Sequence, residues 1–479
     1  MSNDAARIQL VLISHTNAGK TTLARTLVGM DIGEVRDAPH VTTASESHTL
    51  LETANGDALL LWDTPGFGDS VRLAKRLANA DNPIGWLLRE VIDRYRDRPF
   101  WLSQQALRTA REAADLVLYL VNSSEDPQDA GYLDAEMKVL EWLGKPVLVL
   151  LNQMGPPRPA AAEQLEQARW RTGLAAYPAV REVLALDAFA RCWVHERVFY
   201  DAIGAWLADD RKPAHARLVA QWERDNEARF RAAMALVAEQ VTAAARDSEP
   251  LSAASRPMLE SVAKAVGLGE RASARREDQA MTALTARLEQ SIAASTAGLL
   301  RLHKLDAGAA RTINERVRKA YVVRTPVDAR QAGLLGAVVS GAASGLSADL
   351  LSGGLSFGAG ALLGGIVGAL TFAGAAWTFN TSTGRNASTV QFSDEFLRSL
   401  AVAGLLRYLA VAHFGRGRGG FIESEAPDFW QAEVERQIAG REAALLPAIH
   451  AEPAALAELL QQIMAQVLER LYPLPSTNL

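Results

Sequence analysis

The sequence predicts two kinds of structure in series. Residues 1–212 read as an α/β domain, a mostly parallel sheet with helices on both faces, and the rest as an all-α region carrying a glycine-rich apolar helical hairpin. Three observations predict this. Short apolar runs alternate with helical patterns through the first 212 residues, the signature of a sheet wound with crossover helices. Two of those runs, ADLVLYLVN and KPVLVLLNQ, are continuously apolar, as strands covered on both faces are. Beyond residue 212 strand signals fade and long Ala-, Arg-, Glu- and Leu-rich helical patterns take over.

In chain order, RIQLVLISH reads as the first strand and GKTTLARTLVG as a helix closed by glycine. SHTLLETA and DALLLWDTPG are two further strands joined by Asn55-Gly56, a strong hairpin signal. The connection from Gly66 to Asp115 is long and carries helical material in IGWLLREVIDRYRDRP, either as a surface insertion or as an enlarged mobile region. REVLALDA is the last strand and CWVHERVFYDAIGAWLADD the closing helix. Further helices are expected over 214–246 and 273–304. In the second, Met281, Leu284, Leu288, Ile292, Ser295, Leu299 and Leu302 follow an approximate heptad, which suits a helical bundle. The expected divisions are 1–212, a bundle region 213–330, the apolar hairpin 331–384, and C-terminal helices 385–479.

Composition narrows the function classes. With 49% hydrophobic and 22% charged residues the chain is foldable throughout. A net charge of −5 argues against a generally basic nucleic-acid binder, and no RNA-binding module is visible. The single cysteine, Cys192, builds neither a disulfide framework nor a cysteine zinc site and fits a reducing cytoplasm. The opening MSNDAARIQLVLISH is acidic at its start, and its apolar run is short for a secretory signal.

The chemistry concentrates in three short stretches. SHTNAGKTT, Ser14 to Thr22, follows a strand and opens a helix, the context a phosphate-cradling Walker A loop needs. Backbone N–H groups of Asn17, Ala18, Gly19, Lys20, Thr21 and Thr22 would wrap phosphates at the helix N-terminus. Lys20 would meet the β- and γ-phosphates, and the Thr21 hydroxyl would bind Mg²⁺. Ser14 stands where the pattern has its first glycine. The second stretch is Asp63-Thr64-Pro65-Gly66, where Asp63 would hold Mg²⁺ through water and the Gly66 N–H would sense the γ-phosphate. Between them, APHVTTASES offers Thr43, with Thr42 as competitor, to close over Mg²⁺ when the γ-phosphate is present. The third stretch is Asn152-Gln153-Met154-Gly155 after a buried strand.

In this order the motifs resemble the Era-like bacterial GTPases of the translation-factor-related class, over about residues 7–210. The second half resembles, more weakly, a domain of unknown function found behind such GTPase domains in bacteria. The resemblance implies GTP and GDP as ligands, Mg²⁺ as cofactor, and Lys20, Thr43 and Gly66 as the hydrolytic residues. It also implies K⁺ beside the phosphates with Asn17 as a ligand, unless Asn17 only hydrogen-bonds the loop. Phe67, where Ras-type enzymes place a water-orienting glutamine, implies slow intrinsic hydrolysis that a protein activator or self-association accelerates.

The base motif departs from the family. Its usual Asn-Lys-any-Asp reads guanine through the carboxylate, and Gly155 has none. Asn152 and Gln153 keep plausible base contacts. Asp187-Ala188, near the expected fifth motif, would supply others, unless Asp187 is a helix cap. Guanine selectivity is therefore the exposed claim, since loss of a designed polar contact weakens discrimination by orders of magnitude.

The apolar segment 331–384 holds one charged residue, Asp349, and 13 of the 35 glycines. Gly354–Phe379 is 26 residues without a charge, and Gly341/Gly345, Gly354/Gly358 and Gly360/Gly364/Gly368 are spaced for close helix packing. Trp377 and Phe379 would sit at an interface, with Arg330 and Arg385 flanking. The expectation is membrane lipid as a partner, at the inner membrane from the cytoplasmic side, against a tightly packed hairpin within the helical half. The reading is thus a Mg²⁺-dependent GTP-binding and GTP-hydrolysing switch whose helical half associates with a membrane. The alternatives are a nucleotide-gated membrane structural or pore-type protein with little hydrolysis, and an NTPase of relaxed base specificity.

Overall fold

The computed structural model describes residues 5–15, 18–28, 46–64, 66–67, 70–78, 98–155, 158–186, 193–250, 269–305, 377–380, 389–413 and 428–472. The chain divides into two compact units. The first is residues 1–227 with 412–424 and 472–479, and the second is 228–411 with 425–471.

The first unit is built on a six-stranded sheet: β1 (Arg7–Ser14), β2 (Glu46–Glu52), β3 (Ala58–Asp63), β4 (Leu116–Asn122), β5 (Val147–Asn152) and β6 (Val180–Ala185). The strand order is β2-β3-β1-β4-β5-β6, and only the β2–β3 pair, turned at Asn55-Gly56, is antiparallel. The continuous apolar runs behave as two-faced strands. Leu10 and Leu12, Leu116, Leu118 and Leu120, and Leu148 and Leu150 enter one core. Val11 and Ile13, Val117, Tyr119 and Val121, and Val147, Val149 and Leu151 enter the other.

The first core is covered by α1 (Lys20–Val28), α6 (Trp193–Trp206) and the first turns of α7 (Lys212–Arg246). The second is covered by α2 (Ser70–Ala78), α3 (Arg98–Ala113), α4 (Leu133–Leu143) and α5 (Ala160–Leu174). The parallel register brings Ser14, Asp63 and Asn152 to the carboxyl ends of their strands, the edge where open α/β sheets bind ligands.

The second unit takes the rest of α7, then β7 (Ser248–Pro250), α8 (Gly269–Leu302), β8 (Trp377–Asn380), β9 (Thr389–Phe392), α9 (Asp394–Ala412), α10 (Asp428–Ala439), α11 (Glu442–Ile449) and α12 (Pro453–Leu471). The helices expected over 214–246 and 273–304 are α7 and α8. On α8 the heptad residues Leu284, Leu288, Ile292, Ser295 and Leu299 are buried. The Ser393 hydroxyl caps α9 by accepting from the Phe396 N–H at 3.2 Å. Residues 400–411 of α9 are buried all round, as a central helix requires.

Two corrections follow. The helical half also contains a three-stranded antiparallel sheet, in the order β7-β9-β8. And the apolar stretch does not run as helix to Phe379, because Trp377–Asn380 is extended and paired with Thr389–Phe392. Its alternating β-branched and aromatic residues fit that pairing. The remainder of the hairpin expectation, with the helical material ahead of Arg98, lies outside the described residues. Among the described residues no helix is long and apolar enough to cross a membrane.

Candidate nucleotide site

The site grows from the ends of β1, β3 and β5. β1 ends at Ser14, and α1 starts at Lys20, its first turn closed by the Leu23 N–H donating to the Gly19 carbonyl at 3.0 Å. Gly19 takes φ +90°, and a Cβ there would lie 2.6 Å from the Asn152 amide nitrogen, so both conformation and space demand glycine. Asn152, fully buried, donates to the Ala18 carbonyl at 2.9 Å and ties the base motif to the phosphate loop.

Lys20 is buried, and its ammonium donates to the Ser14 hydroxyl at 2.9 Å. The serine at the loop's first glycine position therefore has a use: it holds the lysine head while bonding to the His15 carbonyl. Burial pushes the Lys20 ammonium down from its ordinary range, and Asp63 and then Glu136 push it back up. The Thr21 hydroxyl donates to the Asp63 carboxylate at 2.8 Å. These two hard oxygen donors from different elements suit a Mg²⁺ ion that shares its remaining positions with water and phosphate. Among the described residues no group of three or more His, Cys, Asp or Glu side chains is assembled to hold a metal.

Gly66 packs onto the same loop. A Cβ on Gly66 would stand 2.8 Å from the Lys20 ammonium nitrogen, so the Gly66 backbone lies against the lysine head. The Phe67 N–H donates to the Ser14 carbonyl at 2.9 Å, and Phe67 pairs in parallel with His15. The Phe67 ring is fully buried in the second core.

Lys20, Thr21, Asp63, Gly66, Gly19, Ala18 and Asn152 are thus brought together, with Thr22 buried in the first turn of α1. Gln153 is exposed at φ +58°, its amide nitrogen 3.8 Å from where a Cβ on Gly19 would be. Asn17, Thr43, Asp187 and Ala188 lie outside the described residues.

One participant escaped the sequence reading. Glu136 on α4 is fully buried beneath the loop. One carboxylate oxygen meets the His15 Nδ1 at 2.7 Å, and the other accepts the Tyr119 hydroxyl. Burial, and then Glu136, push the Tyr119 phenol far up, so it stays a donor. The Tyr132 ring stacks on His15 with centroids 4.0 Å apart, and its hydroxyl donates to Glu125. A signal existed, since Glu136 lies one turn from Leu133 and Leu140 in the apolar stripe of its helix.

This fold and this cluster mark a P-loop GTPase domain in the first unit. Residues 9–153 match the family model described as 50S ribosome-binding GTPase. Residues 176–472, more than half of the chain, match the family described as Domain of unknown function (DUF3482), and the chain belongs to that family. Among solved structures it is similar to a variant of Aquifex aeolicus Era bound to GDP and AlF4⁻ (16% identity, 43% of this chain and 58% of that one, TM-score 0.32). It is also similar to Era in complex with MgGDPNP and a 16S ribosomal RNA segment (17%, 43% and 58%, TM-score 0.31). A third is a dimerization-deficient mutant of Toc33 from Arabidopsis thaliana (18%, 40% and 74%, TM-score 0.25). The chain spans 58% of the length of both Era structures. No curated protein matches it.

Proposed function

We propose that the chain is a Mg²⁺-dependent switch that binds and hydrolyses GTP, its state read through the Thr43 loop and the region after Gly66 and passed to the helical half. The observation that carries this is the convergence of Lys20, Thr21, Asp63 and Gly66 on one loop. Thr21, and Asp63 through water, would hold Mg²⁺, which neutralises charge on the β- and γ-phosphate oxygens. Lys20 exchanges Ser14 for the phosphates. The Gly66 N–H meets the γ-phosphate, and Asn152 braces the loop against the base motif. Phe67, with its ring in the core, orders no water, which supports slow intrinsic turnover raised by K⁺ at Asn17 or by a partner.

Membrane docking through the glycine-rich segment is part of the proposal, supported by its uncharged length and close-packing glycines. Relaxed base specificity is the second reading, favoured by Gly155 in place of the carboxylate.

Displacement of a fluorescent GTP analogue by GTP, ATP and XTP tests both. Preferential displacement by GTP supports the switch. Equal displacement by all three replaces it with a relaxed NTPase. Binding that survives Lys20→Ala unchanged removes the phosphate site itself.

A further inference from the structure

The phosphate chemistry above makes no use of Glu136, yet a buried carboxylate is costly unless it is paired and hydrogen-bonded. Glu136 meets that requirement with two donors from separate elements. His15 reaches it from the start of the phosphate loop at 2.7 Å, and Tyr119 from β4. Its charge also favours the ammonium form of Lys20. The far side of the His15 ring is covered by Tyr132, 4.0 Å away and 14° from parallel. The backbone of the same residue is paired with Phe67, the residue after Gly66. His15 is therefore fixed twice, by its ring to a buried anion and by its backbone to the loop that carries Gly66.

That loop needs fixing. Phe67 is fully buried and offers no polar group to the reacting water, so turnover depends on where the backbone holds Gly66.

We propose that His15 and Glu136 are a positioning pair for phosphate hydrolysis at this site: Glu136 anchors the His15 ring, and anchored His15 keeps the phosphate loop in register with Gly66, so that the Gly66 backbone stays against the Lys20 ammonium. The inference rests on the GTPase reading proposed above. In this role both act through Lys20 and Gly66, as positioning residues. The pair is a unit, because Glu136 without the His15 donor is a buried anion beside a site that must accept phosphates.

Single-turnover hydrolysis and nucleotide affinity, measured on the full chain, test it. His15→Ala lowers the hydrolysis rate by roughly tenfold to a hundredfold, since small misplacements of reacting groups carry such losses. Affinity for the GTP analogue stays within about threefold, the mark of an interaction felt in the transition state. His15→Asn, whose amide N–H stands where Nδ1 was, recovers most of the rate. Glu136→Gln also slows hydrolysis, and adding His15→Ala to it costs little more, the non-additivity expected of a coupled pair. If Glu136→Gln does not fold, the His15 variants decide alone, because that side chain is 34% exposed and tolerates change. A His15→Ala rate equal to wild type, or a His15→Asn rate no better than His15→Ala, overturns the pair, as do multiplicative losses. Wild-type protein without turnover overturns the GTPase reading and the pair with it. Wild-type turnover with insensitive variants overturns the pair alone.

Discussion

In the GTPase unit several buried polar side chains reach across the fold to one another, while in the helical unit three threonine hydroxyls turn back on their own helices. Lys20 with Ser14, Thr21 with Asp63, Asn152 with Ala18, and Glu136 with His15 and Tyr119 each join separate elements. In the helical unit the Thr242, Thr285 and Thr296 hydroxyls each donate to the carbonyl one turn back, at 2.8 Å. Local bonds of that kind satisfy a buried hydroxyl without specifying anything distant. Pairs across elements fix a geometry, and they collect at the carboxyl ends of β1, β3 and β5. The difference separates polar burial that builds a site from polar burial that is merely tolerated.

The largest test lies in the GTPase unit. Lys20→Met should cut nucleotide turnover roughly a thousandfold, about 4 kcal/mol of transition-state stabilisation. Its effect on the thermal midpoint should be small. Burial opposes the Lys20 charge more strongly than Asp63 and Glu136 support it, so the native state loses little with the ammonium. Turnover assays and thermal unfolding on one preparation check both halves. A collapse in stability would erase the distinction between the units.

The helical unit also holds a buried polar pair across elements, and it supplies the next test. Arg407, 3% exposed on α9, donates to the Gln240 side-chain oxygen of α7, and burial pushes its guanidinium down to about 10. Truncating the partner should hurt more than removing the charge. Gln240→Leu should cost about 3 kcal/mol by leaving a buried charge poorly satisfied, whereas Arg407→Met should stay within about 1 kcal/mol of wild type. Urea unfolding of the two variants measures the asymmetry. Equal costs would place Arg407 with the site-building groups.

How much of this the sequence revealed follows the same division. The strands of the large sheet and the two long helices were legible because each announces itself within a dozen residues, by a continuous apolar run or a heptad stripe. Lys20, Thr21, Asp63 and Gly66 were legible because phosphate chemistry fixes their local spacing. The sheet β7-β9-β8 was not, since its strands are three or four residues long and Ser248 pairs with Gln391 across the whole helical half. Glu136 was missed because a charged residue in a helix is read as solvated until its neighbours in the fold are known.

A smaller effect tests burial in the helical unit by pH. Burial and then Arg229 push His303, edge-on to Tyr408, down to about 4 from an ordinary 6.5. Between those values the unfolded chain takes up a proton that the native state refuses. The stability of the neutral ring is therefore complete above about pH 6.5 and is lost as pH falls toward 4. The loss should be about 2 kcal/mol, allowing for the ring's partial exposure. His303→Phe keeps the contact with Tyr408 and should flatten that acid limb in urea titrations at about pH 7 and about pH 4.5, where most of the loss has occurred. An unchanged limb would assign the acid sensitivity to other groups.

The smallest effect concerns the base motif, where the GTPase unit departs from its own rule. Asn152 is buried and bonded across the fold, but Gln153 and Gly155 are exposed. Gln153 is exposed at φ +58°, and Gly155 sits at φ +80° with open space where a side chain would go. Gly155→Asp places a carboxylate where the Asn-Lys-any-Asp pattern has one. The left-handed backbone strains any side chain, aspartate less than most, so the variant should lose about 1 kcal/mol of stability. Its carboxylate would project from a turn in which Gln153 stands exposed where the pattern has lysine. The ratio of GTP to XTP affinity should therefore move toward GTP by less than about tenfold, well short of what a built polar contact gives. A larger shift in the competition assay would mean that Asn152 and Gln153 already hold the base in the family's register, with the carboxylate the one part missing. Selectivity in this chain would then have been lost by a single substitution on a site otherwise intact.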